Sequence, residues 1–494
     1  MIELHIVRLV EKEPFLTGSQ LRKRLVMEKI IGGIKRDCYP LTQAQLVHMY
    51  TLNFSPSDEV VNIGTGQYFQ KEMNVAALRE ALNRAVERCE SMRLRLWKDP
   101  ETDEVWQYVM PYENQYFEYY DFSEWDEEKA HEVMAKWTSQ PFDTYRGALS
   151  RIVIVSMPEG YNGYYLNVHH VCMDSASVIA FTKDVLQIYC YLMYNMPYPT
   201  PMTSYIESVK KDLEYEGSKR QKKDMDFWHA ELAKGEPMFT DFTGPGRLQS
   251  LRQEKGNPDL RWGLLPTKDS AGNTIVYPLD VDSTNKIIDF ANEHDLPVSV
   301  VILHAIRTVL SKFNNNEKDI TIRDFISRRS TLLHKKCGGV RMHCLPLRTI
   351  MDTDTTVLES MRIINEQQQK VFMHADYSTM RYYYEEAMTF KGDPGATYHS
   401  VSFTYQPASA KSIVPYLKGI GFKSRWYSSG RQPQPFYITA MHRPGDGGLN
   451  FYFGYQCESA TPEEVEFLYY FTGRVLFRSI ENPDKTLKEI MDMV

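Results

Sequence analysis

The chain predicts an α/β protein built as two similar lobes, on three observations. Strand-like and helix-like segments alternate along most of its length. At 494 residues it is too long for a single hydrophobic core. Near the middle, Asn195-Met196-Pro197-Tyr198-Pro199-Thr200-Pro201 places three prolines within five residues, the mark of a stiff linker.

The elements follow in order. Residues 1–37 read as an N-terminal extension with a basic, helix-like piece from Gln20 to Lys35. A first lobe, 38–196, opens at Tyr39-Pro40-Leu41-Thr42, with a helix from Gln43 to Leu52 and a strand from Val60 to Phe69. The next helix, Asn74 to Cys89, carries Val75, Leu78, Leu82 and Val86 on one face. Strands are predicted at Met92 to Trp97, Val105 to Val109, Ser150 to Met157 and Gly163 to Val168, then a helix from Ser175 to Tyr194. Residues 197–235 are a linker and a charged helical stretch, Tyr205 to Ala233, whose basic run Lys219 to Lys223 reads as a solvated face. The second lobe, 236–494, repeats the pattern of the first. Its helices are predicted at Ser283 to His294, 298–313, Val357 to Met373 and Pro462 to Ile480, and its strands at Ile320 to Ser327, His399 to Tyr405 and Leu449 to Tyr455.

Composition narrows the function classes. A hydrophobic share of 43% and a charged share of 24% are ordinary for a folded soluble protein. The aromatic share of 13%, with 32 tyrosines, suits ring-lined clefts or a large core. A net charge of −7 offers no electrostatic footprint for nucleic acid or an anionic membrane. Seven scattered cysteines without a CxxC pair read as reduced thiols of a cytoplasmic protein. The start, Met1-Ile2-Glu3-Leu4-His5, lacks the shape of a signal peptide. The greasiest stretch, Val298 to Leu310, is interrupted by His304 and Arg307 and is too short to span a bilayer; it reads as a buried helix with Pro297 at its first turn. With no metal-ligand spacing and no Gly-rich nucleotide loop, neither metal nor nucleotide is expected.

The chemistry concentrates in His169-His170-Val171-Cys172-Met173-Asp174-Ser175, set between a strand and an amphipathic helix. Successive strand side chains point to opposite faces, so one histidine reaches a cleft and the other packs. Asp174 at the helix start suits the exposed N–H groups and the positive end of the dipole, and it is placed to pair with an arginine from elsewhere. The plainer alternative makes both histidines core residues and Asp174 only a cap. Cys172 is a candidate nucleophile beside His170 or, as favoured, a small buried filler.

From about residue 38 to 494 the chain resembles the condensation domains of nonribosomal peptide synthetases, in the chloramphenicol acetyltransferase-like superfamily. Thr42-Gln43-Ala44-Gln45 resembles SxAQ. Arg88-Cys89-Glu90-Ser91-Met92-Arg93 resembles RHExLR with Cys89 for histidine, and His169 to Ser175 resembles HHxxxDG with Ser175 for glycine. Tyr205-Ile206-Glu207 with Trp228 resembles YxD…W. Ser327-Arg328-Arg329 with Gly339 to Arg348 resembles GR…IGxFVNTxxLR, with His343 for asparagine, and His374-Ala375-Asp376-Tyr377 resembles HQDxPFE.

The resemblance implies two chloramphenicol acetyltransferase-like lobes in a V-shaped pseudo-dimer with a central tunnel, where donor and acceptor meet at His170. It groups His170, His169 and Asp174 as the catalytic set. His170 is the active member, Asp174 is mainly structural, and Arg329 is the salt-bridge partner (Arg328 if the register slips by one). The backbone at Ser175 is the candidate oxyanion donor, and Arg93 and His343 are candidate tunnel residues. The implied reaction joins an acyl or aminoacyl thioester, held on the phosphopantetheine of a carrier protein, to an amine acceptor. Carrier proteins and the acceptor are the implied partners, with no bound cofactor, nucleic acid or membrane. No adenylation segment or carrier segment with an LGGxS-type serine is visible, so the expectation is a free-standing enzyme or a piece of a larger synthetase. Two further readings stay open. One is a CoA-dependent acyltransferase acting on a small alcohol or amine, although the DFGWG signature is missing. The other is a non-catalytic scaffold that docks carriers, to which the departures at Cys89, Ser175 and His343 lend weight.

Overall fold

The structure, a computed structural model, describes residues 26–266, 269–407, 420–443 and 446–494. The first part runs β1 (Met27–Ile31), β2 (Ile34–Pro40), α1 (Gln43–Phe54), β3 (Asn62–Gln70), α2 (Val75–Arg88), β4 (Leu94–Lys98), β5 (Val105–Val109), β6 (Glu118–Asp121), α3 (Glu127–Thr138), β7 (Ser150–Ser156), β8 (Tyr161–His169) and α4 (Ser175–Tyr194). Helices α5 (Tyr205–Tyr215) and α6 (Lys219–Leu232) connect to α7 (Gly246–Lys255), β9 (Gly263–Leu264), β10 (Gly272–Pro278), α8 (Val281–Glu293), α9 (Val298–Phe313), β11 (Asp319–Ile326), α10 (Leu332–Lys336) and β12 (His343–Ile350). The chain continues through α11 (Val357–Met373), α12 (Thr379–Phe390), β13 (Ala396–Thr397), β14 (Ser402–Gln406), β15 (Phe422–Tyr427), β16 (Phe436–His442), β17 (Leu449–Gln456), α13 (Pro462–Glu481) and α14 (Leu487–Asp492).

Two cores form. In the first, Leu78, Leu82 and Val86 of α2 and Val178, Phe181 and Val185 of α4 close over Tyr164, Leu166 and Val168 of β8. The three-and-four spacing on each helix puts these side chains on one stripe, and each buried aliphatic or aromatic group contributes about 1.5–3 kcal/mol. In the second, α9 is buried from Val300 to Ser311 among α11, α13 and the six-stranded sheet β10-β17-β16-β14-β11-β12. Among the described residues no single helix is long and apolar enough to cross a membrane. The pair α8 and α9 passes that test together but bends by 106° at its break.

Two expectations are corrected and one is refined. The basic segment read as helix-like up to Lys35 is, from Met27 onward, a β-hairpin; residues 1–25 lie outside the described residues. Gly32 (φ +58°) and Gly33 (φ +78°) form its two-residue turn, both in the left-handed region that such hairpins require. Ile31 faces Ile34 across that turn, and β2 joins the sheet β1-β2-β5-β4, so residues 27–37 belong to the fold rather than to an extension. The helical stretch expected from Tyr205 to Ala233 is divided into two helices at Gly217 (φ +72°). Lastly, β15, assigned by position to the second lobe, is the edge strand of the first-lobe sheet β15-β3-β8-β7-β6, antiparallel to β3 with Trp426 opposite Thr65.

Candidate active site

Strand β8 ends at His169, which faces Asn62 of β3. His170 leaves the ladder while its N–H still bonds Val61 O at 2.7 Å. Cys172 N–H bonds His169 O at 3.0 Å and closes the turn, and α4 then starts at Ser175 with Asp174 as its cap. Two outside elements clamp this turn. Gln45 of α1 donates from Nε2 to Val171 O at 3.2 Å, and Met173 forms a parallel bridge with Gly339 of the second lobe. Gly339 sits at φ +95°, and a Cβ there would overlap the Tyr205 ring, so only glycine fits.

The two histidines part company as the strand alternation requires. His169 is buried (1% exposed); its Nδ1 accepts the Val171 N–H at 3.1 Å, and Nε2 lies 3.5 Å from Thr144 Oγ1. Burial pushes its pKa down to about 3. This ring holds the turn from inside. His170 is only partly buried. Burial holds its pKa below the ordinary value, against the pull of nearby backbone groups and of Asp174. The ring is therefore neutral and acceptor-competent at neutral pH. Its Nδ1 is buried without a hydrogen-bond partner, and its face is stacked on His48 of α1.

Asp174 is buried (3% exposed) and fully engaged. Its carboxylate accepts from Arg329 at 2.9 and 3.1 Å, from Ser177 N–H at 2.8 Å, from Ser177 Oγ at 2.9 Å and from Arg341 N–H at 2.9 Å. Burial alone would raise its pKa; Arg329 and these hydrogen bonds outweigh that and hold the carboxyl below its ordinary range. Arg329 also donates to Gly339 O at 2.8 Å, His334 O at 2.6 Å and Cys337 O at 3.0 Å. The ion pair thus fastens the histidine turn of one lobe to the 334–341 segment of the other. Arg328 is spent elsewhere, on Asp376 at 3.0 Å and Asp212 at 3.3 Å, so the register does not slip.

The remaining candidates divide. Ser175 takes the first helical position, and the Asp174 carboxylate caps the N–H of Ser177, two residues further on. Cys172 is fully buried, donates to His169 O at 2.9 Å and has its pKa pushed up to about 12, which makes it the inert filler. Arg93 and His343 are both engaged in contacts within the fold. Arg93 donates to the carbonyls of Val86, Glu87 and Met110, which closes the C-terminal end of α2. His343 is fully buried, with Nδ1 2.9 Å from Ala375 O and Nε2 3.1 Å from Arg328 Nη1. Burial and that guanidinium hold its pKa well below the ordinary value. The residue missed in the sequence is His48, whose signal was a histidine one turn after Gln45 on a largely apolar helix. Among the described residues no group of three or more His, Cys, Asp or Glu side chains is arranged to hold a metal.

Comparison with known proteins points one way. The family model described as Condensation domain matches residues 35–493. A plipastatin synthase subunit of Bacillus subtilis (strain 168) is 21% identical over 457 residues, and surfactin synthase subunit 1 of the same organism is 23% identical over 461. Each match covers 92% of this chain but only 17% and 12% of the relative, so the chain spans a small part of the length of these curated relatives. Among solved structures, the first condensation domain of the calcium-dependent antibiotic synthetase in complex with substrate analogue 2a superposes with a TM-score of 0.75 at 18% identity, covering 92% of this chain and 98% of that one. VibH, an NRPS condensation enzyme, gives 0.68 at 14% identity, with 89% and 96% covered.

Proposed function

The chain belongs to the Condensation domain family and has the two-lobe fold of that family's solved structures; on that premise we propose that it joins a carrier-bound acyl or aminoacyl thioester to an amine, with His170 handling the proton. The observation that carries this reading is the neutral ring of the partly buried His170 on a turn locked by the Asp174–Arg329 pair.

The amine nitrogen attacks the thioester carbonyl carbon, a C–N bond forms, and the adduct carries a cationic nitrogen and an anionic oxygen. A free α-amine has a pKa near 8 and is partly neutral already, so the base matters most after attack. His170 takes the nitrogen's proton; the C–S bond then breaks, and the leaving thiolate of the phosphopantetheine arm receives that proton. Base help of this kind is worth about 10²–10⁴-fold. The oxyanion faces the start of α4, where the Ser175 N–H and the positive end of the helix dipole support negative charge. Donor carrier protein and acceptor amine are the partners on this reading. A cytoplasmic setting suits the seven free thiols, six of them buried.

The test is an intact-mass assay with a donor loaded on a carrier protein and an amine acceptor. His170→Ala is expected to fold normally and to lose at least about 100-fold in amide formation. Unchanged turnover in that variant overturns the assignment. Equal activity with acyl-CoA and no carrier would replace the carrier-bound donor with a CoA donor.

A further inference from the structure

His48 shares the face of the site with His170. The two rings lie 3.7 Å apart between centroids, with their planes within 19° of parallel. His48 is buried (7% exposed), and its Nε2 has no hydrogen-bond partner. Gln45, one turn earlier on α1, bonds the carbonyl of Val171, the residue after His170. The helix carrying one ring is therefore fastened to the turn carrying the other. A buried polar atom left unpaired is destabilising. For packing alone, an apolar side chain of similar volume would serve better at position 48.

We propose that His48 is a positioning residue for His170: its neutral ring fixes the plane of the His170 imidazole and, through its π face, stabilises the charge that imidazole acquires on taking a proton. This rests on the reading of His170 as the proton acceptor. A flat ring stacked on a cation attracts it electrostatically, most strongly where water is excluded. The neighbouring groups agree on where the proton sits. Asp174, on the turn, favours charge on His170. Burial, then the proximity of His170 and His169, holds the His48 pKa well below the ordinary value. Of the two rings, His170 is therefore the one whose surroundings favour taking a proton.

The test uses the whole chain with ring-labelled histidines, titrated by NMR without substrate, His170 being assigned by its absence in His170→Ala. His48→Phe keeps a flat ring; His48→Leu keeps only apolar volume, and His48→Met repeats that comparison should the leucine variant fold poorly. His170 is expected to titrate in His48→Phe as in the parent. In His48→Leu it is expected to titrate lower by about half a pH unit or more, since its cation has lost the π face. With carrier-loaded donor, kcat falls about 10-fold in His48→Leu with KM unchanged, and His48→Phe restores most of it. An unchanged titration and unchanged kcat in His48→Leu overturn the proposal. If the titration shifts as expected while even the parent chain forms no amide, the ring coupling stands and the functional reading falls.

Discussion

Asp174 and Arg329 are not equivalent halves of one bond. Arg329 has alternatives: the Ser177 hydroxyl and the carbonyls of Gly339, His334 and Cys337 all accept from it. Asp174 depends on Arg329 for compensation of its charge, because its other partners are neutral donors. Removing one member of a buried pair costs most when the remaining charge is stranded. Arg329→Met should therefore lose about 3–5 kcal/mol, whereas Asp174→Asn, which keeps an acceptor oxygen, should lose about 1–3 kcal/mol. Urea denaturation of both variants decides it, and equal losses would sink the argument. The pH dependence follows the same logic. The folded Asp174 pKa is depressed, so its contribution is complete above the unfolded carboxylate value and is lost as pH falls through the folded one. Asp174→Asn should lack that part of the acid limb.

At the scale of elements, β15 ties the second half of the chain into the first-lobe sheet. It leaves the second half of the chain to pair with β3, and Tyr427 at its end drives a hydroxyl into the first lobe. That hydroxyl lies 2.5 Å from Tyr68 Oη and 2.8 Å from His131 Nδ1, all buried. Tyr427→Phe removes the group both neighbours rely on, with an expected loss of about 1–3 kcal/mol and faster amide exchange along β3. Unaltered exchange in β3 would show that the strand is held by its ladder alone. The same element marks the limit of what the sequence discloses. Helix α4 was legible from Ser175 to Tyr194 because its signals are local: an aspartate cap, an apolar stripe and a left-handed Asn195 at its end. Strand β15 was not legible, because its partner lies some 360 residues earlier and pairing over that separation leaves no local pattern. The hairpin at 27–40 carried its signal in Gly32-Gly33, but charged residues facing solvent hid the strand alternation. The Asp174–Arg329 pair was found through motif order along the chain, and the His48 stack was hidden because helical spacing cannot say which ring a buried histidine will meet.

The whole molecule titrates as a set of buried groups with opposed effects. Among the described residues, burial lowers the pKa of eight histidines: His48, His131, His169, His170, His304, His334, His343 and His399. His169, His304 and His399 fall to about 3 and His334 to about 4. A histidine held neutral in the fold binds its proton more readily in the unfolded chain, so each favours unfolding as pH drops below about 6.5. Burial also raises Asp324 and Glu386 to about 7. Those two bind protons in the fold first, so they favour folding as pH falls from 8 toward 7 and beyond. Burial also raises Asp184, Glu216 and Asp241; between pH 6.5 and 5 the eight histidines still outnumber these five carboxyls. His304 shows why the effect is global. Its ring nitrogens lie 2.7 Å from Ser360 Oγ of α11 and 2.9 Å from Ser479 Oγ of α13, so the three helices of the second core meet on one neutral imidazole. The expected profile is a maximum of stability near pH 7, a shallow fall above it and a steep fall from pH 6.5 to 5. Thermal melts in steps of half a pH unit check it, and a melting temperature that is flat or rises on acidification through that window would contradict it. His304→Gln, which keeps hydrogen-bonding groups between the two serines and cannot take a proton, should flatten the acid side by about one proton's worth of slope.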